Sequence, residues 1–337
     1  MRTIGHQFWL STVTLVLLTG CQTTAPLPEP QRIVWPAPPE DARIEYVGSL
    51  RRPADLGIQH SGFRRLISRV FGAGSAELLV KPFGLALDEH DNLCVTDTGA
   101  NTVNFYDRQK KQWHRWERIG AVPFVTPVAV AKSNDVFYVA DPGHGAVIAF
   151  NTAGKLRWTA TNELSHPAGL VLAAGKLFVV DSHRHRVVSF DLSGNFVAAF
   201  GQRGKGPGQF NFPTHLATDG AGHLYVTDSM NGRVQVFDLA GNFQSEFGEI
   251  GDAPGYFSRP KGVAVDSLGH VYVGDANFDN SQIFDPTGRI LLSVGAAGSA
   301  PGEFWLPNGI AISRQNEIFV ADCYNHRVQI FQYVGQP

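Results

Sequence analysis

The chain of 337 residues is poor in charge, in cysteine and in net charge of either sign. Charged residues make up 17%, and 28 Lys plus Arg face 30 Asp plus Glu, for a formal balance of −2. That balance excludes a nucleic-acid binder dominated by phosphate contacts. Three cysteines cannot build a disulfide framework. There is no Cys-x-x-Cys pair, no Gly-x-Ser-x-Gly elbow, and no phosphate loop ending in Lys and Ser or Thr. No cofactor is therefore expected. What is present is 43% hydrophobic residues, 36 Gly, 20 Pro and 23 Phe. The apolar fraction excludes a disordered chain. Abundant Gly with many aromatics points to strands and turns.

Arg2 and the free amine precede an apolar stretch over residues 8–18. It is too short to span about 30 Å of hydrocarbon comfortably and reads as an export signal. It ends in Leu18-Thr19-Gly20-Cys21, which resembles the lipobox of bacterial lipoproteins. The resemblance implies cleavage after residues 1–20, acylation of the Cys21 thiol, and membrane attachment through that lipid. Gln22 follows, not the Asp that resembles an inner-membrane retention signal. The expected address is the cell envelope, at an outer membrane, facing periplasm or exterior. Residues 21–42 carry six prolines and read as an extended tether.

Self-similarity then decides the fold. A Pro followed two residues later by Gly or a substitute recurs at Pro82, Pro127, Pro167, Pro213, Pro260 and Pro307. Each is followed by alternating apolar residues and a strand closing on Asp97, Asp141, Asp181, Asp228, Asp275 or Asp322. The fourth copy shows four strand-like runs, at 215–218, 223–227, 233–237 and 242–247, with Gly-rich turns between them. Four strands per unit in six units, over residues 80–332, describe an all-β, six-bladed β-propeller of four-stranded antiparallel blades.

Asp322-Cys323-Tyr324-Asn325-His326-Arg327-Val328 and Asp228-Ser229-Met230-Asn231-Gly232-Arg233-Val234 carry an Asp-x-x-Asn-x-Arg-Val pattern that resembles the NHL-repeat family of propellers. Residues 181–187 keep the Asp and the Arg but place Arg184 at the Asn. Linkers of the form Gly-x-x-Gly-x-x-Pro-Gly-x-Phe-x-x-Pro run over 201–213, 248–260 and 295–307 almost unchanged. Thr102, Ala146 and Asn280 stand where the Arg would be in blades one, two and five. The resemblance implies the fold and leaves the activity open.

The sixth repeat stops after its third strand. Residues 43–50 look like a fourth strand and are expected to complete it, because an open edge leaves backbone groups unpaired. Between this strand and blade one, residues 51–79 form an insertion. In it Phe63, Leu66, Ile67, Val70 and Phe71 share one helical face, with Arg64, Arg65 and Arg69 opposite. A short helix is expected there.

In a propeller, the loop leading into a first strand and the hairpin between strands two and three share one face. That face should gather His144, His166, His183, His185, His215, Lys261, Trp305, Asn308 and His326 around the channel mouth, joined by Arg184 and Arg259. Such a surface suits a protein partner or an envelope glycan. The expected function is a binding or assembly scaffold. The alternative is a metal-dependent lyase or hydrolase, because some relatives on this scaffold, such as the peptidyl-amidating lyases, resemble zinc enzymes with His ligands from several blades. Here His166, His183 and His215 are the candidate ligands, an incomplete set by spacing, and no metal is assigned. Cys94 and Cys323 are expected to be buried free thiols.

Overall fold

The computed structural model describes residues 32–59 and 77–335. The expected export signal, Cys21 and the stretch at 61–72 expected to form a helix lie outside these residues. The described chain forms six sheets of four strands or more. Blade one runs through Pro82–Leu87, Leu93–Asp97, Thr102–Asp107 and Gln112–Trp116. Blades two to five repeat this order, beginning at Ala129–Ser133, Pro167–Ala173, Leu216–Thr218 and Pro260–Val265. Blade six begins at Pro307–Ile312. The first strands touch one another in a closed ring, blade one meeting blade six as well as blade two.

Within each blade, burial follows position. Second strands are buried on both faces by the flanking blades: every residue of Leu93–Asp97 and of Val271–Asp275 is buried, apolar side chains leading up to the closing Asp. Fourth strands, such as Phe243–Phe247, lie at the rim and are largely exposed. The Gly of the Pro-x-Gly repeat has a steric cause. A Cβ on Gly84 would meet the Val128 carbonyl at 2.3 Å, and one on Gly262 the Asn308 carbonyl at 2.1 Å. The narrow ring of inner strands thus requires backbone against backbone.

The chain closes as the sequence indicates. Ile44–Leu50 pairs antiparallel with Arg327–Tyr333 and supplies the fourth strand of blade six. Ile44 and Leu50 are fully buried by it. One feature differs from the expected tether. Val34–Trp35 pairs with Ile44–Glu45 as a fifth strand, and the Trp35 ring packs edge-on against Phe331 at 5.7 Å. The described part of residues 21–42 is therefore partly sheet. A two-residue strand among prolines carries no period that a sequence could show.

The candidate site at the channel mouth

The six strand-closing aspartates are all buried. Each spends its carboxylate on the loop that leads into its own blade. Asp97 accepts from the N–H groups of Val80, Lys81, Gly99 and Ala100. Asp181 accepts from Ser165 and His166 N–H. In blades four and six an arginine joins in: Arg233 Nε donates to Asp228 at 2.9 Å and Arg327 Nε to Asp322 at 2.7 Å. These groups fix the loops on the mouth face, which makes the repeat motif a frame for the site.

The residue before each third strand has a left-handed backbone in all six blades: Asn101, Gly145, His185, Gly232, Asp279 and His326. In three blades the side chain at this position holds the next blade. His185 Nδ1 accepts from Phe212 N–H at 3.0 Å, Asp279 accepts from Leu306 N–H at 2.7 Å, and the His326 ring meets the Val80 carbonyl. His185 and His326, expected to face a ligand, instead join blades. The exposed His144 ring bonds the Pro123 carbonyl at 2.8 Å on the loop before its own blade. Trp305 lies on the rim, 54% exposed, its ring tilted against that of Tyr324, which also carries the Lys81 ammonium at 4.5 Å. This rim cluster lies between blades six and one, outside the cavity described next.

A cavity of about 420 Å³ opens at the mouth of the central channel. Its floor comes from the middle residues of the Pro-x-Gly repeats, among them Phe83, Val128, Thr214 and Lys261. Its wall includes His166, His183, Phe212, His215, Met230 and Arg259, and among the described residues no carboxylate lines it. His166 and His183 stack face to face with centroids 4.1 Å apart. Burial, with His183 beside it, lowers the His166 pKa. Burial, with Arg259 nearby, lowers the Lys261 amine to about 8. His215 stands where four sister blades have Gly and blade two has Ala129. Burial, reinforced by Lys261, pushes its imidazole down to about 3, so it is neutral at pH 7. Asn308 lies beside it, yet both His215 ring nitrogens, Thr214 Oγ1 and Asn308 Oδ1 are buried without a hydrogen-bond partner. Buried polar atoms are normally satisfied, so these atoms make the His215 corner of the mouth the candidate place for a bound group.

Of the expected residues, the structure brings His166, His183, His215 and Lys261 together around the cavity, with Asn308 at His215. Phe83, Phe212 and Met230 were missed. For Phe83 the signal was available in the repeat, since it occupies the same Pro-x-Gly position as Lys261. The three candidate metal ligands do not converge. Among the described residues, Asp88, Glu89 and His90 are the group of three whose ligand atoms fall within 4.8 Å of one another, and they sit on the opposite face. Asp88 is already bonded to Lys132 at 2.8 Å and to Asn92. Cys94 and Cys323 are buried free thiols, as expected. Burial pushes Cys323 up to about 12, so neither is poised as a nucleophile.

Comparison with known proteins places this geometry in a class. The NHL repeat matches residues 210–237, 257–284 and 304–331. A family described as a 6-bladed beta-propeller matches residues 155–221. The chain is a six-bladed β-propeller that carries NHL repeats. Similar solved structures include a virginiamycin B lyase from Staphylococcus aureus with quinupristin, at 14% identity, 75% of this chain, 95% of that one and a TM-score of 0.55. A gluconolactonase from Xanthomonas campestris is similar at 14% identity, 75% and 86% coverage and a TM-score of 0.55. Hydrazine synthase from Kuenenia stuttgartiensis is similar at 13% identity, 77% and 97% coverage and a TM-score of 0.55. At these identities the likeness is one of fold, and this fold hosts unrelated functions.

Proposed function

We propose that this chain is a lipid-anchored envelope propeller that binds or assembles a partner, its channel mouth receiving an acidic group of a protein or an envelope glycan. The observation that carries this reading is the cavity wall: Arg259, Lys261 and three histidines with no lining carboxylate, over unpartnered atoms of His215, Thr214 and Asn308. A cationic, partly apolar concavity with convergent unpaired donors and acceptors suits a carboxylated ligand. Attachment through Cys21 would hold it at the membrane. The test is a photo-crosslinking amino acid at Met230, on the rim, in intact cells. A specific crosslinked species is expected, reduced at least fivefold when Lys261→Met and Arg259→Ala are combined. Undiminished crosslinking in the double variant would contradict the reading.

A metal-dependent lyase or hydrolase at the same mouth is the second reading. It is favoured by Lys261, whose amine, lowered by burial to about 8, can exchange a proton near neutral pH. Near-stoichiometric zinc in the purified protein, lost on His183→Ala, would favour this reading over the first.

A further inference from the structure

Blades four, five and six share the same linker, and in blades four and six the linker is fastened by an arginine. Arg233 Nη2 donates to the carbonyls of Gly206 and Gln209 at 3.0 and 2.9 Å. Arg327 Nη2 donates to those of Ala300 and Glu303, both at 2.8 Å. Blade five has the same linker and the same supporting glutamine: Gln282 accepts from Gly255 N–H at 2.8 Å and donates to the Tyr256 carbonyl at 2.7 Å. Its third strand, however, begins with Asn280 where the arginine stands in its neighbours.

Beside Asn280 lies a groove of about 610 Å³, lined by Asp252, Ala253, Tyr256, Phe278, Asn280 and Leu292 among others. The two carbonyls that receive the guanidinium in the sister blades are here those of Ala253 and Tyr256. Among the described residues, Ala253 accepts only the turn N–H of Tyr256, and Tyr256 only the Gln282 amide. Asn280 Oδ1 is buried without a partner. Three further differences favour a cation from outside. Asp252 stands at the position of Lys205 in blade four and Ser299 in blade six. Phe278 replaces Asn231 and Asn325, and Tyr256 replaces Gln209 and Glu303, which gives the groove aromatic walls. A planar guanidinium stacks on such rings while its N–H groups reach carbonyl acceptors.

We propose that the blade-five groove is a receptor for an arginine side chain presented by a partner polypeptide, which inserts where the sister blades insert their own arginine. The site is separate from the channel mouth and takes charge of the opposite sign, so one face would hold a partner at two complementary points.

The test uses the full chain in detergent, with Nα-acetyl-arginine methylamide and its lysine counterpart as probes, followed through the methyl resonances of Ile290 and Leu292. The arginine probe is expected to give a saturable shift, and the lysine probe to bind at least about fivefold more weakly, because an ammonium lacks the planar fork. Asn280→Arg is expected to fold, since two blades already hold that arrangement, and to abolish the shift by filling the groove itself. Asp252→Lys, a change at an exposed rim residue, is expected to weaken binding about threefold. Equal response to both probes, no saturation, or unchanged binding in both variants would overturn the proposal, and so would an Asn280→Arg chain that cannot fold.

Discussion

Burial holds the Lys261 amine near 8 and the His215 imidazole near 3, against ordinary values of 10.5 and 6.5. In both cases the unfolded chain binds the proton more readily. For His215 the folded state therefore loses stability as pH falls from 6.5 towards 3, and for Lys261 it gains stability as pH rises from 8 to 10.5. Both signs describe a mouth that tolerates added positive charge poorly until an anion enters. His215→Gly restores the residue that four of the five sister blades use at that position. Denaturant midpoints measured from pH 7 to 4 are expected to fall less steeply for this variant than for the parent chain; identical slopes would remove His215 from the account. The residue scale is also where sequence reading reached least far. The strand-closing aspartates could be recognised because they recur at fixed spacing. The roles of His185 and His326 could not, because a left-handed backbone is not visible in a single histidine. Only the six positions taken together, with Asn, Gly and Asp among them, carry that information.

At the scale of elements, the closure strand and the buried arginines bear the stability. Ile44 and Leu50 are each fully buried, and such side chains contribute about 1.5–3 kcal/mol apiece. Removing residues 1–52 also exposes the whole edge of Arg327–Tyr333. The melting temperature is expected to fall by about 10 °C or more, and a truncated chain that melts like the parent would refute the closure. Arg327 is enclosed with Asp322 and holds two linker carbonyls. Arg327→Met leaves the carboxylate buried without its cation, and a loss of about 3–5 kcal/mol is expected in denaturant unfolding. A loss below about 1 kcal/mol would mean that the linker is held by Gln329 and Asn325 alone. Both elements were legible beforehand, since strand alternation and repeat spacing are local properties. The fifth strand at Val34–Trp35 was not, because its position depends on the packing of Trp35 against Phe331 across a long sequence separation.

For the whole molecule, sixfold repetition sets what function can use. Six inner strands converge on one axis, so a single residue type at one repeat position becomes a ring around the mouth. Phe83, Val128, Thr214 and Lys261 reach the same cavity from distant parts of the chain. Overall composition conceals this. The net charge of −2 gives no hint of a cavity lined by cations without a carboxylate, because the nearby aspartates are turned towards backbone N–H groups. The shape was readable from spacing, whereas the chemistry of the mouth depended on which way each side chain faces. The most direct measurement is calorimetric titration of the full chain with a di-uronic acid at pH 6.5 and at pH 9.5, repeated with Lys261→Met. Binding at the lower pH that weakens about tenfold at the higher, with the pH dependence lost in the variant, is the expected result. Affinity that ignores both pH and Lys261 would contradict an anion-receiving mouth.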